Sequence, residues 1–96
     1  MKILLAEYAM GTGMDGTFLI EGRSMLKTLV NSFARLGHEV TYLTSGPLLP
    51  KGNAISSNKK DFRNIIDEEA KKADAGLIIG PDEILSELTA IIEDNT

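Results

Sequence analysis

The stretch Ile3-Leu4-Leu5-Ala6 is an unbroken apolar run that ends on Glu7 and shows no period-two alternation. Such a run suits a strand buried on both faces, the environment of a parallel sheet covered by helices on each side. Four apolar residues between Lys2 and Glu7 fall far short of a signal-peptide core, about 7–15 residues, or of a membrane span, about 20. A strand of this kind cannot stand alone, so the rest of the chain must supply neighbouring strands and two layers of helix.

The sequence supplies them in alternation. After a glycine-rich segment from Met10 to Gly16, the residues Met25, Leu26, Leu29, Val30, Phe33 and Leu36 recur at three- and four-residue spacing, and Gly37 provides a helix stop. Glu39 to Thr44 mixes Val40, Tyr42 and Leu43 with threonines and predicts a second strand. Ser45 to Asn58 is rich in Gly, Pro, Ser and Asn and predicts a long loop, within which Asn53 to Ser57 can add a short edge strand. From Asn58, paired with Asp61 as a cap, Phe62, Ile65, Ile66, Ala70 and Ala73 form one helical face. Gly76 introduces a strand at Leu77 to Ile79, and Gly80-Pro81 precedes a last helix with Ile84, Leu85, Leu88, Ile91 and Ile92 inward.

Strands alternating with helices predict an α/β fold: a three-layer, Rossmann-like half domain whose parallel sheet has three or four strands and helices on both faces. At 96 residues there is room for one core. So narrow a sheet leaves edges that folds of this type extend with further units, and the expectation is the leading domain of a longer chain. Net charge is −4 and the lysines and arginines are scattered apart from Lys59-Lys60 and Lys71-Lys72. No basic stripe therefore exists to follow a nucleic-acid backbone, and no nucleic acid or membrane is expected as a partner. The absence of cysteine removes disulfides and thiolate metal sites and favours a cytoplasmic setting.

Ligands of open α/β sheets bind beyond the carboxyl ends of the strands, where the strand order reverses. Gly11-Thr12-Gly13-Met14-Asp15-Gly16 matches the GxGxxG dinucleotide spacing by letter. Tyr8, Ala9 and Met10 separate its first glycine from the strand, and Thr44 and Ser45 stand where the ribose-binding acid belongs. The glycines are better explained as a mobile loop with positive φ angles, which accounts for the spacing without any ligand. A third reading lays the loop over a substrate, with Glu7 and Glu21 meeting a cationic group, since carboxylates at strand ends suit an amine better than a phosphate. In the first turn of the last helix Asp82 suits capping, while Glu83 divides between capping and the cleft. His38, the one histidine, falls at the amino end of strand two, and Lys27 lies inside the first helix; no catalytic set and no metal set can be assembled.

Ala6-Glu7-Tyr8, Glu21-Gly22-Arg23-Ser24-Met25-Leu26 and Ala73-Asp74-Ala75-Gly76-Leu77-Ile78-Ile79-Gly80-Pro81-Asp82-Glu83 together resemble the N-terminal, pre-ATP-grasp domain of ATP-grasp ligases, in the archaeal branch that includes tyramine-glutamate ligase. The resemblance implies an enzyme that phosphorylates a carboxylate with ATP and lets an amine attack the acyl phosphate. It also implies that ATP and magnesium are held by later domains, so that this chain alone is inactive and contributes no catalytic residue. Substrate contact, with a small carboxylate or amine, would fall to Glu7, Gly11, Gly13, Gly16, Glu21 and Glu83. Two alternatives stand beside it. Gly37 to Thr44 is similar to the second strand of GT-B glycosyltransferases, and a freestanding, non-catalytic domain could form a homo-oligomer by pairing its open sheet edge with a copy of itself.

Overall fold

The computed structural model describes residues 1–95, and for 82–88 the backbone alone. The chain order is β1 (Lys2–Glu7), α1 (Tyr8–Thr12), α2 (Gly16–Arg35), β2 (Glu39–Thr44), β3 (Asn53–Ser56), α3 (Phe62–Ala70), β4 (Ala75–Ile79) and α4 (Asp82–Asn95). The strands form one four-stranded sheet in the order β3-β2-β1-β4, and every pairing is parallel. This is the expected small α/β domain, a Rossmann-like half with helices on both faces.

β1 sits between β2 and β4, and Ile3 to Glu7 are all buried. Its alternate side chains enter two cores. Leu4 and Ala6 pack with Leu43, Ile78, Phe62 and Ile66 beneath α3 and α4. Ile3 and Leu5 pack with Val40, Tyr42, Leu26 and Val30 beneath α2. A strand that must be apolar on both sides cannot alternate, which is why the run in the sequence is continuous.

α2 ends where Gly37 predicts. Gly37 takes φ +87°, and its amide donates to the Ala34 carbonyl at 3.0 Å while that of His38 donates to the Phe33 carbonyl at 3.1 Å. This doubly bonded stop requires the left-handed conformation glycine tolerates. Across the sheet, Tyr42 is fully buried and its hydroxyl accepts the Leu49 amide at 2.8 Å, pinning the loop after β2. Tyr42→Phe leaves that amide unsatisfied, and urea unfolding is expected to report a loss of about 1–3 kcal/mol.

The structure departs from the sequence expectations at four places. The segment from Met10 to Gly16, expected as a loop, begins inside a five-residue helix, α1, that continues directly from β1. The Asn58 and Asp61 cap forms, with the Asn58 side chain accepting the Asp61 amide at 3.0 Å and the Asp61 side chain accepting the Asn58 amide at 2.7 Å. It closes a turn ahead of α3, however, and the helix itself starts only at Phe62. β4 starts earlier than expected, at Ala75. Met25 and Leu36, expected to face inward, are 45% and 71% exposed: Met25 because α2 covers β1 and β2 while nothing described lies over the same face of β4, and Leu36 because it is the C-cap residue, beyond the last turn of α2. Leu77 lies level with Leu5 on that face and is likewise 45% exposed. In α4 Ile92 is buried and Ile91 packs against the same cluster; the side chains of Ile84, Leu85 and Leu88 lie outside the described residues.

Candidate ligand cleft at the carboxyl end of the sheet

The chain leaves β1 for β2 and β3 on one side, then returns to place β4 on the other. The crevice beyond the carboxyl ends of β1 and β4 is therefore the point where the strand order reverses, the place where open α/β sheets take ligands. A cleft of about 470 Å³ occupies it. Glu7 and Tyr8 leave β1 into it, Ile79, Gly80 and Pro81 leave β4 into it, and α2 supplies Phe18, Glu21, Gly22 and Met25. A smaller hollow of about 150 Å³ lies at the opposite, amino end among Lys2, Glu69 and Lys72, away from the switch point.

Glu7 is the most constrained polar group of the cleft. It is 5% exposed, yet it is the last residue of a central strand. Its Oε1 accepts the Met10 amide at 2.7 Å, capping α1 as its N-cap residue, which satisfies one of the free amides at a helix start. Oε2 has no hydrogen-bond partner among the described residues. No side-chain polar atom among them is both sealed and unpartnered, so Oε2 keeps some contact with solvent, and Glu7 is a lining residue of the cleft. A carboxylate held almost out of water with one oxygen unsatisfied gains strongly from a cation or a hydrogen-bond donor.

Glu21 joins the same cleft from the exposed side of α2. The structure thus brings together Glu7 and Glu21, two of the residues singled out from sequence. No lysine, arginine or histidine is among the described lining residues, so the local field disfavours a phosphate or a carboxylate and favours a cation. The remaining walls are apolar: Phe18 on α2, 65% exposed, Met25 about two turns further on, and Ile79 and Pro81 opposite. The arrangement offers a carboxylate with one free oxygen among the described residues at the end of an apolar trough.

The glycines are used otherwise. Gly11 lies within α1 and is buried, its Cα against the Phe62 ring, and its carbonyl accepts the Ser57 hydroxyl at 2.7 Å. Gly13 ends α1 at φ +83°, and Gly16 starts α2 at φ +65°. None of the three lines the cleft. The turn directly off the strand that a dinucleotide fingerprint needs is replaced by α1. Glu83 belongs to the first turn of α4, and its side chain lies outside the described residues. His38 sits at the amino end of β2 beside the N-terminal amine, 3.2 Å from its Nδ1, far from the cleft in the fold.

Sequence reasoning missed Phe18 and Ile79 as lining residues and assigned Met25 to the core. The signal that could have found Met25 and Phe18 is their seven-residue spacing on one side of the stripe formed by the buried Leu26 and Val30. Among the described residues no group of three or more histidines or acids could hold a metal ion, and no helix is long and apolar enough to cross a membrane. No known protein family, curated protein or solved structure matches the chain.

Proposed function

We propose that this chain is the N-terminal, substrate-side domain of an ATP-dependent carboxylate–amine ligase, and that its cleft holds the amine. One observation carries the reading: a buried carboxylate, Glu7, lines an apolar trough at the switch point of the sheet with one of its oxygens unclaimed among the described residues. An ammonium group satisfies Oε2 with a charge-assisted hydrogen bond, and Glu21 adds negative potential at the rim. The body of the amine lies along Phe18, Met25, Ile79 and Pro81. The resemblance carried by Ala6-Glu7-Tyr8 and by the segment from Ala73 to Glu83 adds the reaction.

In that reaction ATP converts the carboxylate partner to an acyl phosphate on further domains, which also hold the magnesium. The bound ammonium gives up one proton to solvent, the lone pair so freed forms the C–N bond at the acyl carbon as the C–O bond to phosphate breaks, and the second proton lost from nitrogen leaves with the phosphate. This domain contributes binding and orientation: Glu7 fixes where the nitrogen sits, and the apolar walls fix its direction of approach. The uncovered face of β4, with Leu77 at its centre, suits a domain that packs against others of the same enzyme.

The test is amine-dependent release of ADP by the full gene product that carries this domain. Glu7→Gln keeps the shape and removes the charge. It is expected to raise the KM for the amine about 10- to 100-fold with a much smaller change in kcat, the effect of losing a hydrogen bond to a charged group. An unchanged KM removes Glu7 from the site. Absence of any amine-dependent ADP release overturns the ligase assignment.

A further inference from the structure

A glycine in the middle of a long helix calls for a reason, since it costs about 1 kcal/mol against alanine. Gly22 lies well inside the 20-residue α2, on its buried side. A Cβ built there would overlap the carboxylate of Glu7, meeting Cδ, Oε1 and Oε2 ahead of any other atom. The carboxylate therefore occupies the space that a side chain at position 22 would fill. Its position is set from two directions, by the Met10 amide on Oε1 and by the missing side chain at Gly22. The glycines of the first loop admit no such account, because none of them has Glu7 as a neighbour.

We infer that Gly22 is a positioning residue for the cleft: by leaving its side-chain space to the Glu7 carboxylate, it keeps Oε1 on the α1 cap and turns Oε2 toward the ligand. The inference rests on reading the cleft as an ammonium site, but its structural half can be examined with no ligand present. Gly22→Ala fills the seat of the carboxylate. Glu7 must then swing away, breaking the cap on Met10 and moving the anionic oxygen. Shortening the acid by one methylene in Glu7→Asp withdraws the carboxylate from α2, and aspartate is itself a good N-cap. The two substitutions are complementary in volume, so the second should rescue the first.

Four forms of the chain decide it: wild type, Gly22→Ala, Glu7→Asp and the double variant. Two readouts are taken on each, with thermal unfolding alongside: hydrogen exchange at the Met10 amide, and titration with benzylamine hydrochloride near neutral pH against benzyl alcohol and benzoate. Gly22→Ala is expected to speed Met10 exchange at least tenfold and to weaken benzylammonium binding at least tenfold. The double variant is expected to regain Met10 protection and to bind benzylammonium as Glu7→Asp does. Unchanged Met10 exchange in Gly22→Ala overturns the positioning role, and so does a double variant no better protected than Gly22→Ala. Should Gly22→Ala fail to fold, the double variant against Glu7→Asp still decides: equal protection upholds the role, and loss of it overturns it. If benzylammonium binds no better than benzyl alcohol to the wild type while the exchange pattern is as expected, the ammonium reading falls and the seat of Glu7 on Gly22 stands.

Discussion

Leu5→Ala is expected to destabilise the domain by about 3–4 kcal/mol, enough to remove a large part of the stability of a chain this size. Leu5 is fully buried in the middle of the central strand, level with Tyr42 on one side and Leu77 on the other, under Leu26 and Val30 of α2. The cost of deleting a buried side chain depends on how far its surroundings can collapse into the space. Here they cannot move far, because hydrogen-bonded strands on both sides fix the floor of the cavity and α2 is held at its end by the paired bonds around Gly37. Leu77→Ala is the internal control. It removes the same atoms from the same face of the sheet, but at a position 45% exposed with nothing described above it, and a loss below about 1 kcal/mol is expected. Urea unfolding of the two variants measures the difference directly. Equal losses would mean that the α2 face of β4 is as fully packed as that of β1.

That contrast marks how far the sequence was legible. β1 and β2 could be read because their burial is a property of the strand itself: the continuous run of Ile3 to Ala6 and the threonine-rich Glu39 to Thr44 require no knowledge of neighbours. The stop at Gly37 was legible because a left-handed residue has a residue-specific cause. α1 was not, because a glycine inside five residues argues against a helix. Its two caps are local, the Glu7 side chain on the Met10 amide and the left-handed Gly13, but what shelters Gly11 is tertiary, the close approach of Phe62. In the same way Met25 fits the helical period as well as Leu26 does, and only the position of the sheet edge beneath α2 separates core from cleft. Of the candidate site, Glu7 and Glu21 were legible as carboxylates near strand and helix ends, and the structure brings them together. The role of Gly22 was not, since a close approach between two elements leaves no mark in periodicity.

The second large effect is expected at Phe62, where fold and cleft meet. Phe62 opens α3 and is 3% exposed. Its ring stands edge-on to Tyr8 with centroids 5.7 Å apart and covers the Cα of Gly11, so it joins α3 to the first turn after β1. Phe62→Ala is expected to cost about 3–5 kcal/mol from lost burial and the cavity left behind, with the aromatic pair contributing about 0.5–1.5 kcal/mol of interaction beyond area. The reverse fault, Gly11→Ala, places a methyl group where the ring lies and is expected to cost about 1–3 kcal/mol through overpacking, offset in part by the better helix propensity of alanine. Because both changes act on one contact, they should not add. Gly11→Ala in a Phe62→Leu background fills space that the smaller side chain vacates, and a double-mutant cycle by urea unfolding should show the pair more stable than the sum of its parts by about 1 kcal/mol or more. Additive losses would show that α1 is not held by Phe62. In that event Tyr8, which lines the cleft, owes its place to the Glu7 cap rather than to α3, and Phe62 variants would leave the cleft unaltered.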